Sequence, residues 1–278
     1  MGGFHRLGGA CRSLALAAAA LAALGLGTGP SRAQAPPSPI RVVIFGDSQA
    51  QGIAGGLQRV LVDDDRYRVL NRSHPGAALV HPSREWLAPV ENFVAGETAD
   101  IAVVMFGAND RLDMREEPDG PYLHFRSAAW REAYTKRADL ILTALGKAHL
   151  RVVWCGNPIA RSPTYSADME YINRIYQDET ARFGATFFPL WRIIVDGEGH
   201  YVAYGKDRDG VTERLRGDDG IHFTGAGYQV IAEKLVALFP SIMAKPPSHL
   251  PSAAPAAASP PASAKPAAPA APAAPPAH

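Results

Sequence analysis

The stretch Ile40–Ser48 (IRVVIFGDS) decides the fold, because an almost continuous apolar run leads directly into a tight turn. Apart from Arg41, residues 40–45 are all apolar, as is typical of a strand buried on both faces. The turn at residues 46–48 is followed by a stretch from about Ala50 to Val62 that we interpret as a helix. The segment therefore predicts a strand, a tight turn and a helix in succession.

The same alternation of strand and helix recurs along the chain. Further strands are predicted at residues 66–71, 100–106, 151–155 and 186–190, and further helices at 86–93, 128–149, 167–183 and 225–239. Buried strands that are separated by helices indicate a parallel sheet covered by helices on both faces. We therefore predict a doubly wound, flavodoxin-like α/β fold of about five strands. A small hairpin insertion is predicted at 193–204, after the fifth strand.

Both ends of the chain differ in composition from its centre. Two arginines precede an uncharged, Ala/Leu-rich run at 13–27, and Ala33-Gln34-Ala35 supplies the small residues of a cleavage site. This layout predicts a secretory signal peptide over residues 1–35, with an uncleaved anchor as the alternative. Residues 246–278 are almost entirely Pro, Ala and Ser, which predicts a disordered tail. One domain is left, at residues 36–245.

Charge and export limit the partners that we expect. The chain has a net charge of +1, and its two ends carry four basic residues and no acidic one, so the central region has a net charge of −3. This balance gives no reason to expect a nucleic-acid partner. The leader predicts an exported protein, periplasmic or secreted, with no integral membrane domain in the mature chain. For the tail, we favour an idle segment over one that makes loose contact with an envelope polymer.

Cysteine usage adds no internal cross-link. Cys11 lies within the predicted leader, so Cys155 is the single thiol of the mature chain. Because Cys155 falls in a predicted buried strand, we interpret it as a small core residue.

Polar residues and glycines follow the predicted strands at the points where the strands end. Ser48, Gly76 and Asn109 come after the first three strands, and Asp219 and His222 precede the last helix. Ligands of an open parallel sheet bind beyond the carboxyl ends of its strands. Each residue alone is ordinary turn or cap chemistry. Together they supply a nucleophile, a base, an orienting acid and oxyanion donors, which are the parts of an acyl-transfer site.

The order Ser48, Gly76, Asn109, His222 resembles that of the SGNH hydrolases, also called the GDSL esterase superfamily. The similarity covers nearly the whole central region, through the blocks at 46–48, 76, 107–110 and 219–222. Two features depart from the family pattern: Gln49 stands where an aliphatic residue is usual, and the hairpin insertion is not a general feature. With its exported ends, the chain is similar to a bacterial envelope branch of unassigned function.

The resemblance implies an SGNH-type catalytic domain at residues 36–245 that hydrolyses esters by a serine mechanism. In that mechanism Ser48 attacks, His222 accepts and returns its proton, and Asp219 orients the imidazole. The backbone N–H groups of Ser48 and Gly76 and the Asn109 side chain would bind the oxyanion. No metal or cofactor is implied, and the sequence contains neither an H-E-x-x-H nor a G-x-x-x-x-G-K pattern.

The sequence indicates the type of reaction more clearly than the substrate. Arg111 and Asp113 follow the third block, so we predict that they contact substrate at the rim of the crevice. Export and the family resemblance suggest an O-acyl ester, foremost an O-acetyl ester, on a small molecule or an envelope carbohydrate. The alternatives are an O-acyltransferase with the same triad and a non-catalytic carbohydrate-binding or structural envelope protein on the same fold.

Overall fold

A five-stranded parallel sheet forms the centre of the protein in the computed structural model, which describes residues 2–3, 38–117 and 119–251. The chain divides into two units between Ser38 and Pro39, and the elements described below belong to the second unit. The strands are β1 (Ile40–Gly46), β2 (Tyr67–Asn71), β3 (Ile101–Met105), β4 (Arg151–Cys155) and β5 (Thr186–Phe188). Their order in the sheet is β2-β1-β3-β4-β5. The predicted flavodoxin-like α/β fold is therefore confirmed.

The register of the sheet aligns the carboxyl ends of its central strands. In β1, Val42 lies opposite Val69 of β2 on one side and Ile101 of β3 on the other. Gly46 at the end of β1 lies opposite Met105, the last residue of β3. The turns that follow β1, β2 and β3 consequently meet at one edge of the sheet.

Helices cover both faces of the sheet. They are α1 (Ser48–Val60), α2 (Ala88–Gly96), α3 (Ala128–Lys147), α4 (Pro163–Arg182), α5 (Gly225–Val236) and α6 (Phe239–Met243). Alternate residues of β1 point to opposite faces. Val42 and Ile44 pack with α1, α5 and α6, whereas Val43 and Phe45 pack with α2, α3 and α4. Cys155 is fully buried in the first of these two cores, as predicted, and burial raises the pKa of its thiol.

Side-chain caps explain where four of the helices begin. Asp47 accepts a hydrogen bond from a backbone N–H of α1, and Ser127, Ser162 and Thr224 do the same for α3, α4 and α5. Such caps satisfy backbone donors that have no partner within the helix. The predicted start of the fourth helix, residue 167, is wrong by four residues, because Ser162 and Pro163 together begin it earlier.

The predicted hairpin insertion lies after β5, but its position is different. Residues 193–204 contain a turn with a single bridge, between Val195 and Tyr201. The two-stranded antiparallel hairpin follows it, formed by β6 (Tyr204–Lys206) and β7 (Thr212–Arg214). The Ile193 N–H donates to the Leu190 carbonyl and so lies in a turn, and pairing across the first turn does not extend beyond Val195.

The domain continues beyond the predicted boundary at Lys245. Ser248 is buried, its N–H donates to the Leu150 carbonyl, and the His249 N–H donates to the Phe183 carbonyl. The folded domain therefore extends to residue 249, because the backbone N–H groups of Ser248 and His249 find partners on it. The rest of the predicted tail, from residue 252, lies outside the described residues, as does the predicted leader apart from Gly2 and Gly3. None of the described helices has the length and apolar character needed to cross a membrane.

Candidate active site

The turn between β1 and α1 presents Ser48 as the first residue of a helix. Gly46 adopts φ +139°, and a Cβ atom at this position would lie 1.8 Å from the Met105 carbonyl oxygen. Glycine is therefore required here, since β1 and β3 approach too closely for any side chain. Asp47 follows and caps α1 through the Gln49 N–H at 2.9 Å. This geometry holds Ser48 at the carboxyl edge of the sheet.

Ser48, His222 and Asp219 form a continuous chain of hydrogen bonds. Ser48 Oγ lies 2.7 Å from His222 Nε2, and His222 Nδ1 lies 2.6 Å from Asp219 Oδ2. With the Nδ1 proton directed to Asp219, Nε2 is free to accept the Ser48 hydroxyl proton. The structure thus brings together the three residues that the sequence predicts as nucleophile, base and orienting acid, across a separation of more than 170 residues in the chain.

The local fold of the loop before α5 holds Asp219 ionised. Asp219 Oδ1 accepts the backbone N–H groups of Ile221 at 2.8 Å and His222 at 3.0 Å. Burial alone would raise the pKa of Asp219, but these bonds and the contact with the His222 ring together lower it to about 2. The carboxylate therefore stays negative at physiological pH and can stabilise a positively charged imidazole.

The predicted oxyanion donors lie on segments that adjoin the Ser48 turn. His74 N–H donates to the Gly46 carbonyl at 2.8 Å, which fixes the segment containing Gly76 beside the turn. Gly76 has φ +81°, and a Cβ atom at this position would point into open space. The N–H groups of Ser48 and Gly76 have no hydrogen-bond acceptor among the described residues. The Asn109 amide donates one hydrogen to the Ala77 carbonyl at 3.1 Å and has a second one to offer.

Two buried carboxyl groups brace these turns. Burial raises the pKa of Asp47 to about 7 and that of Asp110 to about 6. Asp110 accepts the Val80 N–H at 3.1 Å and the Tyr134 hydroxyl at 2.7 Å. It thereby ties the loop after β3 to the loop after β2 and to α3.

The two predicted substrate contacts are engaged within the protein. Arg111 Nε lies 2.7 Å from Asp168 Oδ2, with its guanidinium 4.7 Å from the centre of the Tyr165 ring. Asp113 accepts the Phe125 N–H at 2.7 Å and lies 2.7 Å from the His124 ring. Both side chains stay partly exposed, Arg111 by 35% and Asp113 by 43%, so both reach solvent while they hold the loop that follows β3.

Sequence reasoning missed the residues that hold the backbone of the loop containing Asp219 and His222. Arg216 is fully buried and donates to the carbonyls of Ile159 at 2.8 Å and Ile221 at 3.1 Å. Its guanidinium lies 4.7 Å from the Tyr201 ring and 4.3 Å from the Phe223 ring, and burial lowers its pKa to about 10. No local pattern marks this arginine, because its partners are carbonyl oxygens that every residue carries.

Gln49 is a second residue whose role the sequence left undefined. Its side chain donates to the Ile221 carbonyl at 3.0 Å and accepts the Tyr228 hydroxyl at 2.8 Å. The departure from the usual aliphatic residue was visible in the sequence, but both partners lie more than 170 residues away.

A cavity of about 500 Å³ adjoins the segment that contains Gly76. Residues 74–78, which include Gly76, line the cavity, and apolar groups such as Pro75 and Pro89 form part of its wall. Its polar lining side chains are His74, His81, Glu85 and Asn92. Within the described ranges, no cluster of three or more His, Cys, Asp or Glu side chains is placed to hold a metal ion.

The chain also matches a known protein family over most of its length. Residues 41–238 match the family described as "Protein of unknown function (DUF459)". No protein with a curated description is detectably similar in sequence.

Solved structures with this fold include three from the bacteria Veillonella parvula, Bacteroides thetaiotaomicron and Geobacillus stearothermophilus. The first is a member of the lipolytic G-D-S-L family with 14% identity and a TM-score of 0.50, covering 72% of this chain and 98% of its own. The second is a GDSL-like lipase with 17% identity and a TM-score of 0.50, covering 74% and 93%. The third, a catalytic mutant of an acetylxylan esterase, has 14% identity and a TM-score of 0.51, covering 73% and 95%. The fold is that of the GDSL/SGNH hydrolases.

Proposed function

Because the chain belongs to the DUF459 family and has the GDSL/SGNH fold, we propose that it is an exported serine esterase that hydrolyses O-acyl esters. The observation that carries this proposal is the chain of short hydrogen bonds from Ser48 through His222 to Asp219. A serine hydroxyl joined to an imidazole, which is in turn joined to an ionised carboxylate, is the arrangement that activates a serine for attack on a carbonyl.

The acylation step uses these side chains in order. Ser48 Oγ forms a bond to the ester carbonyl carbon while its proton passes to His222 Nε2. Collapse of the tetrahedral intermediate breaks the bond to the alcohol, which receives that proton from His222. Asp219 stays ionised throughout and stabilises the imidazolium. Water then repeats the sequence on the acyl-enzyme, releasing the carboxylic acid and restoring Ser48.

Charge that develops on the carbonyl oxygen is stabilised by donors already in place. The N–H groups of Ser48 and Gly76 and the Asn109 amide would bind the oxyanion. Because these donors act on charge that is largest in the transition state, each contributes roughly 3–4 kcal/mol to catalysis. Ser48 at a helix N-terminus adds the favourable potential of that end of the helix.

For the substrate, we propose an O-acetyl group on an envelope carbohydrate. The expectation of export comes from the leader, and the cavity next to Gly76 offers polar side chains suited to hydroxyl groups. A protein of the same fold is an acetylxylan esterase. Transfer of the acyl group to a sugar hydroxyl would use the same residues, with the sugar in place of water, so the products have to be analysed.

Labelling and turnover test the proposal together. A fluorophosphonate should label purified protein at Ser48, located by mass spectrometry, and Ser48→Ala should abolish labelling and lower turnover of p-nitrophenyl acetate by about 10⁴-fold or more. Ser241→Ala is a suitable control, because Ser241 lies exposed in α6. Undiminished turnover by Ser48→Ala would exclude Ser48 as the nucleophile. Release of acetate from an acetylated glycan, with and without an added sugar acceptor, separates hydrolysis from transfer.

A further inference from the structure

The carbonyl oxygen of Ile221, the residue before the candidate base, receives two hydrogen bonds. Gln49 Nε2 donates at 3.0 Å and Arg216 Nη2 at 3.1 Å. A carbonyl oxygen has two lone pairs, so these two donors satisfy it fully. The peptide group between Ile221 and His222 is thereby held from two directions.

The other backbone groups of His222 are also held. Its N–H donates to Asp219 Oδ1 at 3.0 Å, and its carbonyl accepts the Gly217 N–H at 2.8 Å. These two partners lie in the same loop as His222, whereas Gln49 belongs to α1, the helix that begins with the candidate nucleophile. The bond from Gln49 therefore connects the base directly to the element that carries Ser48.

The far end of the Gln49 side chain is fixed as well. Its Oε1 accepts the hydroxyl of Tyr228 at 2.8 Å, and the Gln49 side chain is almost completely buried. A Cβ atom at Gly52 would lie 2.0 Å from the Tyr228 ring, so a glycine one turn further along α1 makes room for this contact. A buried amide with both ends bonded has little freedom to move.

We propose that Gln49 is a positioning residue that sets the distance between Ser48 and His222 by holding the Ile221 carbonyl. Proton transfer between the two side chains depends on a short, well-aligned hydrogen bond, and small displacements of catalytic groups are costly. The proposal rests on the proposed function, because it assigns Gln49 a role in a reaction that Ser48 begins. Gln49 itself does not touch the reacting atoms.

Substitutions of Gln49 and of its partner test this role. Gln49→Met keeps the length of the side chain and removes both hydrogen-bonding groups. It should lower kcat by about 10- to 100-fold with little change in KM, because His222 is displaced while the substrate pocket is intact. Tyr228→Phe removes only the hydroxyl that holds Gln49 and should give a smaller loss. The double variant should lose less than the product of the two single losses, since both changes act on one interaction.

A matched control separates positioning from stability. Leu57→Ala creates a cavity in the same helix, without touching Gln49, and should lower Tm while leaving kcat per folded molecule unchanged. A wild-type kcat in Gln49→Met would overturn the proposal, as would an equal loss of kcat in Leu57→Ala. If Gln49→Met does not fold, Tyr228→Phe decides the question, and unchanged kcat in that variant contradicts the positioning role.

Two further measurements keep this result independent of the proposed function. Ser48→Ala is assayed alongside; if it retains wild-type turnover, the proposed serine mechanism fails, whatever Gln49 does. A crystal structure of Gln49→Met reports on position without any reaction. A Ser48 Oγ to His222 Nε2 distance that is longer than in a wild-type crystal supports the proposal, and an unchanged distance overturns it.

Discussion

Asp47 caps α1 and is completely buried next to the candidate nucleophile. Burial raises its pKa to about 7, and the nearby charge of Asp110 adds to this, although the hydrogen bond from the Gln49 N–H acts in the opposite direction. Between about pH 4 and 7 the folded protein thus keeps a proton on a carboxyl group that loses it in an unfolded chain.

Stability should therefore fall as the pH rises from about 4 to 7. The ordinary pKa of this carboxyl is 3.8, so the contribution of Asp47 is complete below that pH and is lost as the pH passes its folded value of about 7. One pKa unit corresponds to about 1.4 kcal/mol, so a raise of about three units corresponds to a loss of about 4 kcal/mol across this window. Asp47→Asn should flatten this dependence and make the protein more stable than wild type at pH 8, as measured by urea unfolding at several pH values.

A residual slope should persist in Asp47→Asn, because Asp110 is also buried and its pKa is raised to about 6. Asp63→Asn provides the control, since Asp63 is exposed in the turn after α1. If Asp47→Asn keeps the full wild-type slope, burial of Asp47 does not govern the pH dependence of stability.

The sequence predicts some residues of the candidate site and not others, for a physical reason. Ser48, Asn109 and His222 stand out because each has a distinctive side chain at a predicted strand or helix boundary, where turn chemistry is local. Gln49 and Arg216 act on backbone carbonyls of distant segments. Since every residue carries a carbonyl, no pattern in the chain identifies such partners before the fold is known.

Helices α1 and α5 approach closely because α1 presents glycine to α5. At Gly52 a Cβ atom would lie 2.0 Å from the Tyr228 ring, and at Gly56 it would lie 2.4 Å from the Tyr228 carbonyl oxygen. Glycine within a helix costs about 1 kcal/mol relative to alanine. The close packing of the two helices offsets this cost and brings Tyr228 within reach of Gln49.

Two alanine substitutions in α1 should have opposite effects. Gly52→Ala should destabilise the protein by about 1–3 kcal/mol, because the added methyl group collides with the Tyr228 ring. Gly55→Ala, three residues further along, should be neutral or stabilising by up to about 1 kcal/mol, since the nearest atom is the mobile end of Arg59 at 3.4 Å. Thermal unfolding of both variants checks this, and equal effects would mean that the contact with Tyr228 does not limit the packing of α1 on α5.

The misplaced hairpin shows why turn chemistry alone does not locate strands. Asp196 and Asp207 each accept two backbone N–H groups through their side chains and form similar turns. Only the second turn, among the described residues, is flanked by three pairs of extended residues, at 204–206 and 212–214. The pattern in the chain predicted a turn correctly, but strand pairing depends on what the neighbouring segments already contact.

The candidate site and the C-terminal segment 246–249 lie at opposite ends of the strands of the sheet. The candidate site lies at the carboxyl ends of the strands. At the amino end, β5 begins opposite Val153, so the start of β4 has no neighbouring strand on that side. The Arg151 N–H points towards β3 and donates to the carbonyl of Asp100, the residue before that strand. The Leu150 carbonyl and the Val152 N–H therefore face the open side. The segment 246–249 covers these two groups.

The composition of the chain could not predict that residues 246–249 bind to the start of β4. The segment after Lys245 opens a long stretch rich in Pro, Ala and Ser, which indicates disorder on average. Its hydrogen bonds with the domain involve two backbone N–H groups and one serine hydroxyl, and these need no large apolar side chain. A single buried serine thus extends the folded domain beyond the point at which its apolar pattern ends.

Ser248 should therefore contribute to the stability of the entire domain. Its Oγ accepts the Val152 N–H at 3.0 Å, and in Ser248→Ala this buried donor would lose its partner, at a cost of roughly 1–3 kcal/mol. For a domain of this size, each kcal/mol corresponds to about 2–4 °C in Tm. Ser241→Ala removes an exposed hydroxyl and should change the free energy of unfolding by less than about 0.5 kcal/mol. Equal Tm values for the two variants would show that β4 gains nothing from this segment, whereas a lower Tm in Ser248→Ala alone places residues 246–249 within the cooperative fold.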